Sequence, residues 1–307
     1  MQADGVRDRA VGSVLGLALG DALGAPFEFR RRDQIPDPLP AFELPWLDLA
    51  IGSTTDDTAM ARNLIGSLVA RGGLDVEDVL RRHRGWFATD PPDVGSFTRR
   101  VLSVDGGLAA GEAARLVFLE RGPEVSAGNG SVMYCAPLGV AYAQRADLLP
   151  ALASDLSGVT HHDGRCRTAC VAVTLAVAAL VRGENAVPAI RAAVNEVLPR
   201  EGGEELEFLV AEAGRGRPID GPDRGFCLFT AGVALRMAAE APSVEAGLRA
   251  VAAFGGDTDT NAAVAGALLG ARDGAAGLPE AWLERLVDAD GIRREAEALG
   301  ALAVSMA

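Results

Sequence analysis

The sequence predicts an all-α fold, organised as one domain over residues 1–307. Three observations carry that prediction. Apolar residues recur with helical periodicity along the chain, and no run alternates with period two for long. Aromatics make up only 5% while alanine and glycine are abundant. That suits closely packed helices rather than strands, which favour β-branched and aromatic residues. Short turns with Gly, Pro or Asp separate the helical patterns, with no internal repeat, low-complexity tract or clear linker between them.

Residues 6–24 open with an unusual pattern. Gly12, Gly16, Gly20 and Gly24 recur at every fourth position and so lie along one stripe of a helix. Glycine costs a helix about 1 kcal/mol relative to alanine. The stripe therefore implies a neighbouring backbone or ligand too close for a side chain. Pro26 predicts that the helix ends near there. A proline-rich loop covers Gln34 to Trp46, and helices are expected at 55–72 and 76–88, followed by the turn Asp90-Pro91-Pro92-Asp93-Val94-Gly95. Further helices are expected at 96–120, 131–147, 165–182, 185–198, 203–213, 225–240, 243–253, 258–272 and 279–287.

Composition excludes several kinds of chemistry. The net charge of −13 argues against nucleic-acid binding, which needs a basic surface to neutralise phosphates. The chain contains no lysine, so P-loop, Schiff-base and Ser–Lys mechanisms are out. Three histidines (His83, His161 and His162) are too few for a site built on several imidazoles. Four scattered cysteines do not form a disulfide framework, and a reducing, cytoplasmic setting is expected. Arg7 and Arg9 before the apolar run Val11–Gly20 imitate a signal peptide, but Asp4, Asp8 and Asp21 argue against one. The run Ala169–Val181 is shorter than the roughly 20 residues needed to span a bilayer, so no membrane partner is expected.

Two motifs carry the most chemistry. Gly52-Ser53-Thr54-Thr55-Asp56-Asp57-Thr58 and Phe254-Gly255-Gly256-Asp257-Thr258-Asp259-Thr260-Asn261 each place two carboxylates and threonine hydroxyls at a helix start. Either alone reads as an ordinary N-cap. Facing each other, they would gather four carboxylates that repel unless a hard cation joins them, and Mg²⁺ or Mn²⁺ prefers such oxygens. Two such ions about 3.5–4 Å apart are typical of hydrolytic sites. Glu28, between Phe27 and Phe29, and Asp21, in Gly20-Asp21-Ala22, are weaker candidates. For Asp21 the simple reading is a hydrogen bond at a helix terminus. The turn Gly128-Asn129-Gly130-Ser131-Val132-Met133 could cradle a phosphate on its N–H groups. Thr160-His161-His162-Asp163 could contact that phosphate or cap the next helix. A zinc site from Cys166, Cys170 and one of these histidines is less favoured than two thiols packed in a core.

Taken in order, GDALGAPFE, STTDDTAM, PDVG, GNGSVM, THHD and FGGDTDTNAAVAGALLGA resemble the ADP-ribosylglycohydrolase family, from about residue 9 to 287. The TDDT and GGDTDT pair is the specific part. The resemblance implies a single orthogonal helical bundle with a binuclear Mg²⁺ or Mn²⁺ cleft. It implies metal ligands at Thr55, Asp56, Asp57, Asp257, Asp259 and Thr260, and proton chemistry at Asp257, Glu28 or Asp56. Substrate contacts are implied at Asp93, Gly95, Asn129, Gly130, Ser131, Met133 and His161. Tyr134 stands where many relatives have arginine, His162 where proline or a small residue is frequent, and Asn261 at a commonly apolar or threonine position. The implied activity is metal-dependent hydrolysis of ADP-ribose from a modified side chain of a protein or from a small conjugate. Arginine is the preferred linkage, with serine or another O-linkage as the alternative. A non-catalytic, crystallin-like member is the competing reading, and the intact ligand set argues against it.

Overall fold

The computed structural model describes residues 2–104 and 107–306. Fifteen α-helices follow one another: α1 (Gln2–Gly24), α2 (Asp56–Arg71), α3 (Val76–Phe87), α4 (Ser96–Leu102), α5 (Glu112–Arg121), α6 (Ala136–Ala141), α7 (Leu149–Gly158), α8 (Gly164–Val181), α9 (Ala186–Val197), α10 (Gly203–Glu212), α11 (Cys227–Glu240), α12 (Val244–Ala252), α13 (Thr258–Asp273), α14 (Glu280–Leu283) and α15 (Ala289–Ser305). No sheet is present among the described residues, which carry only two isolated β-bridges.

The centre of the molecule is the pair α1 and α13, the most extensive helix contact in the fold. The glycine stripe explains it. A Cβ on Gly16 would lie 2.2 Å from the Gly266 carbonyl oxygen, and one on Gly266 would lie 2.0 Å from that of Gly16. Gly12 and Gly270 are matched in the same reciprocal way. The close neighbour implied by the stripe is therefore a second helix backbone. Around this seam α8 and α11 pack as nearly all-buried helices, and α15 closes the outer side of α1. Ala3–Phe27 and Gly164–Val181 are both long and apolar enough to cross a membrane by length and composition, but 94% and 78% of their apolar windows are buried within the protein.

Several boundaries differ from expectation. The helix expected at 96–120 is two, α4 and α5, because Gly111 takes a left-handed φ of 88° before Glu112. Residues 105–106 of that stretch lie outside the described residues. The helix expected at 131–147 shrinks to α6 and a 3-10 turn over Ala143–Leu148, since Pro137 sits in the first turn of α6 and cannot extend an existing helix. The segment 279–287 is helical only at α14. Two helices were not expected at all. In α7, Pro150 occupies the tolerated first turn, not an interior position. In α15, a polar face masks the apolar one made by Ile292, Ala296, Leu299 and Ala303.

Candidate active site

Two helix starts build the site. Thr55 caps α2, its hydroxyl accepting from the Asp57 N–H at 3.3 Å. α13 follows a turn in which Gly255 and Gly256 take φ of 70° and 79°. A Cβ on Gly256 would also meet the Ile219 carbonyl oxygen at 2.4 Å, so only glycine fits. Two backbone hydrogen bonds join this turn to the Glu28 loop: Phe29 N to Gly256 O at 2.7 Å, and Gly256 N to Arg30 O at 2.8 Å.

Asp21 makes the third joint. It is fully buried in α1, and its carboxylate accepts from the Thr55 N–H (3.0 Å), the Thr58 N–H (3.0 Å) and the Thr58 hydroxyl. It caps α2 from another helix, satisfying N–H groups that have no intrahelical acceptor. Burial pushes its carboxyl up to about 6, although these hydrogen bonds pull it down.

A cleft of about 500 Å³ opens over these joints. Glu28, Asp56, Asp93, Asp257, Asp259 and Thr260 line it, together with Gly95, Asn129, Gly130, Met133 and His161. Oxygens of Glu28, Asp93 and Asp259 lie within 4.8 Å of one another. Asp57 and Thr55 are buried beside the lining and tied to it, since Thr55 Oγ1 and Thr260 Oγ1 each donate to Asp57 Oδ2 at 3.3 Å. Asp56 Oδ2 accepts from the Gly95 N–H at 3.2 Å. The structure thus brings together motifs from opposite ends of the chain. Ser131 is the exception: its fully buried hydroxyl meets Ser157 Oγ at 3.0 Å and does not face the cleft.

The electrostatics are severe. Burial, and then the charge of neighbouring carboxylates, holds Asp56, Asp57 and Asp259 well above the usual carboxylate range. The same causes push Glu28 up to about 8, with Asp257 the leading neighbour. Asp57 Oδ1 and Asp259 Oδ1 are buried and have no hydrogen-bond partner among the described residues. An unpartnered buried carboxylate oxygen is costly, and a hard divalent cation is the partner such a set of carboxylate and hydroxyl oxygens suits. The donor set therefore fits Mg²⁺ or Mn²⁺. The thiols do not compete for that role: all four cysteines are buried, and Cys166 Sγ donates to Gly128 O at 3.2 Å while Cys170 Sγ donates to Ser131 Oγ at 3.5 Å.

The glycine loop forms another part of the lining. Asn129 Nδ2 donates to Asp257 Oδ2 and to Thr230 Oγ1, both at 3.0 Å, and the Thr230 hydroxyl donates to Asn261 Oδ1 at 2.7 Å. Asn129 thus orients a carboxylate as well as shaping the loop, and Asn261 anchors that chain. His161 stacks on Phe97 with ring centroids 4.9 Å apart. Sequence reasoning missed Phe97, Thr98, Gly225 and the Arg224 guanidinium, which lies 4.6 Å over the exposed Phe29 ring. These residues fall outside the recognisable motifs, and only the folded chain brings them to the cleft.

Comparison with known proteins agrees with this architecture. Residues 2–306 match the profile described as ADP-ribosylglycohydrolase. The ADP-ribosyl-[dinitrogen reductase] glycohydrolase of Rhodospirillum rubrum is 32% identical over 313 residues, covering 99% of both chains. The ADP-ribosylarginine hydrolase Tri1 of Pseudomonas putida is 26% identical, covering 95% of this chain and 78% of its own. The ADP-ribosylhydrolase ARH3 of Xenopus tropicalis is 27% identical over 92% and 91% of the two chains. A solved structure described as an ADP-ribosylglycohydrolase-related protein complex superposes with a TM-score of 0.78 at 29% identity, covering 98% of this chain and 99% of that one.

Proposed function

The chain belongs to the ADP-ribosylglycohydrolase family, and from that premise we propose that it hydrolyses the bond between ADP-ribose and a modified arginine side chain, with two Mg²⁺ or Mn²⁺ ions as cofactors. The observation that carries the proposal is the meeting of Asp56, Asp257 and Asp259 on one cleft, with buried oxygens of Asp57 and Asp259 left without partners. Thr55, Asp56, Asp57, Asp257, Asp259 and Thr260 would hold the ions. Bound there, the cations would offset the carboxylate charge and would supply Lewis-acid activation of water at neutral pH.

The rest of the work falls to the chain. The Gly128–Met133 loop and His161 hold the ADP-ribosyl group, fixing its anomeric carbon for attack. Water forms a C–O bond to that carbon as the C–N bond to the guanidine breaks. Asp257, oriented by Asn129, or Glu28 accepts the proton from water and returns one to the leaving nitrogen. The preference for arginine rests on the two relatives whose names carry dinitrogen reductase and ADP-ribosylarginine.

The test is incubation with arginine- and serine-ADP-ribosylated peptides, with Mg²⁺ or with EDTA. The proposal expects free ADP-ribose from the arginine peptide, none with EDTA, and a loss of roughly a hundredfold or more in Asp257→Ala and Asp259→Ala with helical content retained. That size follows because even residues supporting a metal ligand cost about 10–100-fold. Release from the serine peptide alone replaces the substrate. No release from either contradicts the activity.

A further inference from the structure

One buried chain of polar groups leads from the cleft into the core. His161 Nδ1 lies 3.0 Å from Thr160 Oγ1, and Thr160 Oγ1 lies 3.0 Å from the Tyr134 hydroxyl. All three residues are buried, and Tyr134 packs edge-on against His83, with ring centroids 4.9 Å apart. Two proton directions run unbroken along this chain; a third, with Nδ1–H and Tyr134 both donating to Thr160, leaves the Thr160 hydroxyl proton with no acceptor among the described residues. In one, Tyr134 donates to Thr160 and Thr160 donates to Nδ1. In the other, Nδ1–H donates to Thr160, Thr160 to Tyr134, and Tyr134 must end on the Leu156 carbonyl.

Distance decides between them. Tyr134 Oη is 3.4 Å from Leu156 O, beyond the usual O–H···O range, against 3.0 Å from Thr160 Oγ1. The first direction gives both hydroxyl protons a close acceptor and leaves the ring proton on Nε2, at the cleft, while the second ends on a poor acceptor. We infer that Tyr134 and Thr160 are positioning residues that lock His161 in its Nε2–H tautomer, so that the ring offers a neutral donor to an acceptor oxygen of the bound ADP-ribosyl group.

The surroundings agree. Nε2 has no hydrogen-bond partner among the described residues, and the ring lines the cleft beside Gly128 and Gly130. A Cβ on Gly130 would stand 3.3 Å from Nε2 and 2.8 Å from Cε1, so glycine keeps that edge clear. Burial holds the imidazole neutral, with its pKa lowered to about 4 against a smaller opposing effect of Asp163. A neutral ring whose Nδ1 accepts a hydrogen bond must carry its one proton on Nε2. The opposite tautomer would aim a lone pair at the substrate oxygen. The role of the donor rests on the function proposed above, whereas the tautomer lock does not.

The experiment labels the three histidines with ¹⁵N in the ring and reads the tautomer of His161 by NMR in the full-length protein without substrate. ADP-ribose affinity is measured alongside. The wild-type protein is expected to show His161 as Nε2–H alone. Tyr134→Phe and Thr160→Val are expected to add an Nδ1–H population and weaken ADP-ribose binding roughly tenfold, the scale of one hydrogen bond to a charged group. In a His161→Ala background, Tyr134→Phe is expected to change affinity no further, although its effect on thermal stability persists. An Nδ1–H or charged His161 in the wild type overturns the inference, as does a Tyr134→Phe protein with unchanged tautomer and affinity. A correct tautomer in a protein that does not bind ADP-ribose overturns the donor role and the proposed function while leaving the lock in place.

Discussion

Helix α13 contains two regions that have been folded to opposite ends. Its middle, Gly266 and Gly270, is apolar backbone pressed against the glycines of α1. Its first turn, Thr258–Asn261, is buried polar surface, with an unpartnered Asp259 oxygen and an Asp259 carboxyl held above its usual pKa. The first region stabilises the chain and the second strains it, yet they share one rigid element. The seam runs directly into the site: a Cβ on Gly24 would lie 2.4 Å from the Thr258 carbonyl oxygen, and Thr258 Oγ1 donates to the Gly24 carbonyl at 2.8 Å. Close packing of α1 on α13 thus fixes where Asp21, Glu28 and Asp259 stand relative to one another. A site that gathers mutually repelling groups needs this kind of rigid support.

If that division is right, disturbing the seam does the most damage. Gly20→Ala places a Cβ 1.9 Å from the Ala262 carbonyl oxygen, against backbone that cannot yield. It is expected to destabilise by about 3 kcal/mol or more, at the upper end for overpacking, or to prevent folding. Urea unfolding measures it, and a loss below about 1 kcal/mol would mean that the seam is loose.

The acidic end should respond in the opposite direction. Asp259 has a raised folded-state pKa, so its favourable contribution is complete below its unfolded value near 3.8 and disappears as pH rises through the raised value. Asp259→Asn is therefore expected to stabilise the metal-free protein at pH 7.5 by a few degrees in Tm, with the gain shrinking toward pH 4. Thermal melts in EDTA across that range check it, and a lower Tm at pH 7.5 would show that Asp259 is not strained.

A second pH effect comes from His83, which is not part of the cleft lining. Its buried ring has its pKa lowered to about 3 from 6.5 by burial alone. A histidine kept neutral by the fold stabilises above pH 6.5 and loses that contribution as pH falls toward 3, by at most about 1.4 kcal/mol per pH unit. His83→Phe is expected to flatten the pH dependence of stability between 6.5 and 4. An unchanged slope would place the acid sensitivity elsewhere.

The sequence made the helices legible where one face repeats strongly, as in α3, α9 and α12. It failed where a local breaker had a tolerated position, as Pro150 does in α7, or where a polar face dominated, as in α15. The glycine stripe announced a close neighbour, but a single strand of text could not say that Gly266 and Gly270 supply it. For the site, the two acidic helix starts were visible because their composition is odd. Ser131 was assigned to the cleft from its place in a motif, whereas its side chain turns into the core. Asp21 looked like an ordinary helix-terminal residue. That it caps a different helix depends on α1 crossing the start of α2, which no local pattern encodes.

The central claim is that the acidic ends of α2 and α13 form one cation site. Titration with Mn²⁺, followed by EPR at neutral pH, tests it most directly. Wild-type protein is expected to bind two Mn²⁺ ions with spectra showing coupling between them, and Asp57→Asn and Asp259→Asn are each expected to abolish that coupled signal. Failure of the wild type to bind Mn²⁺, or an undiminished coupled signal in both variants, would contradict the account.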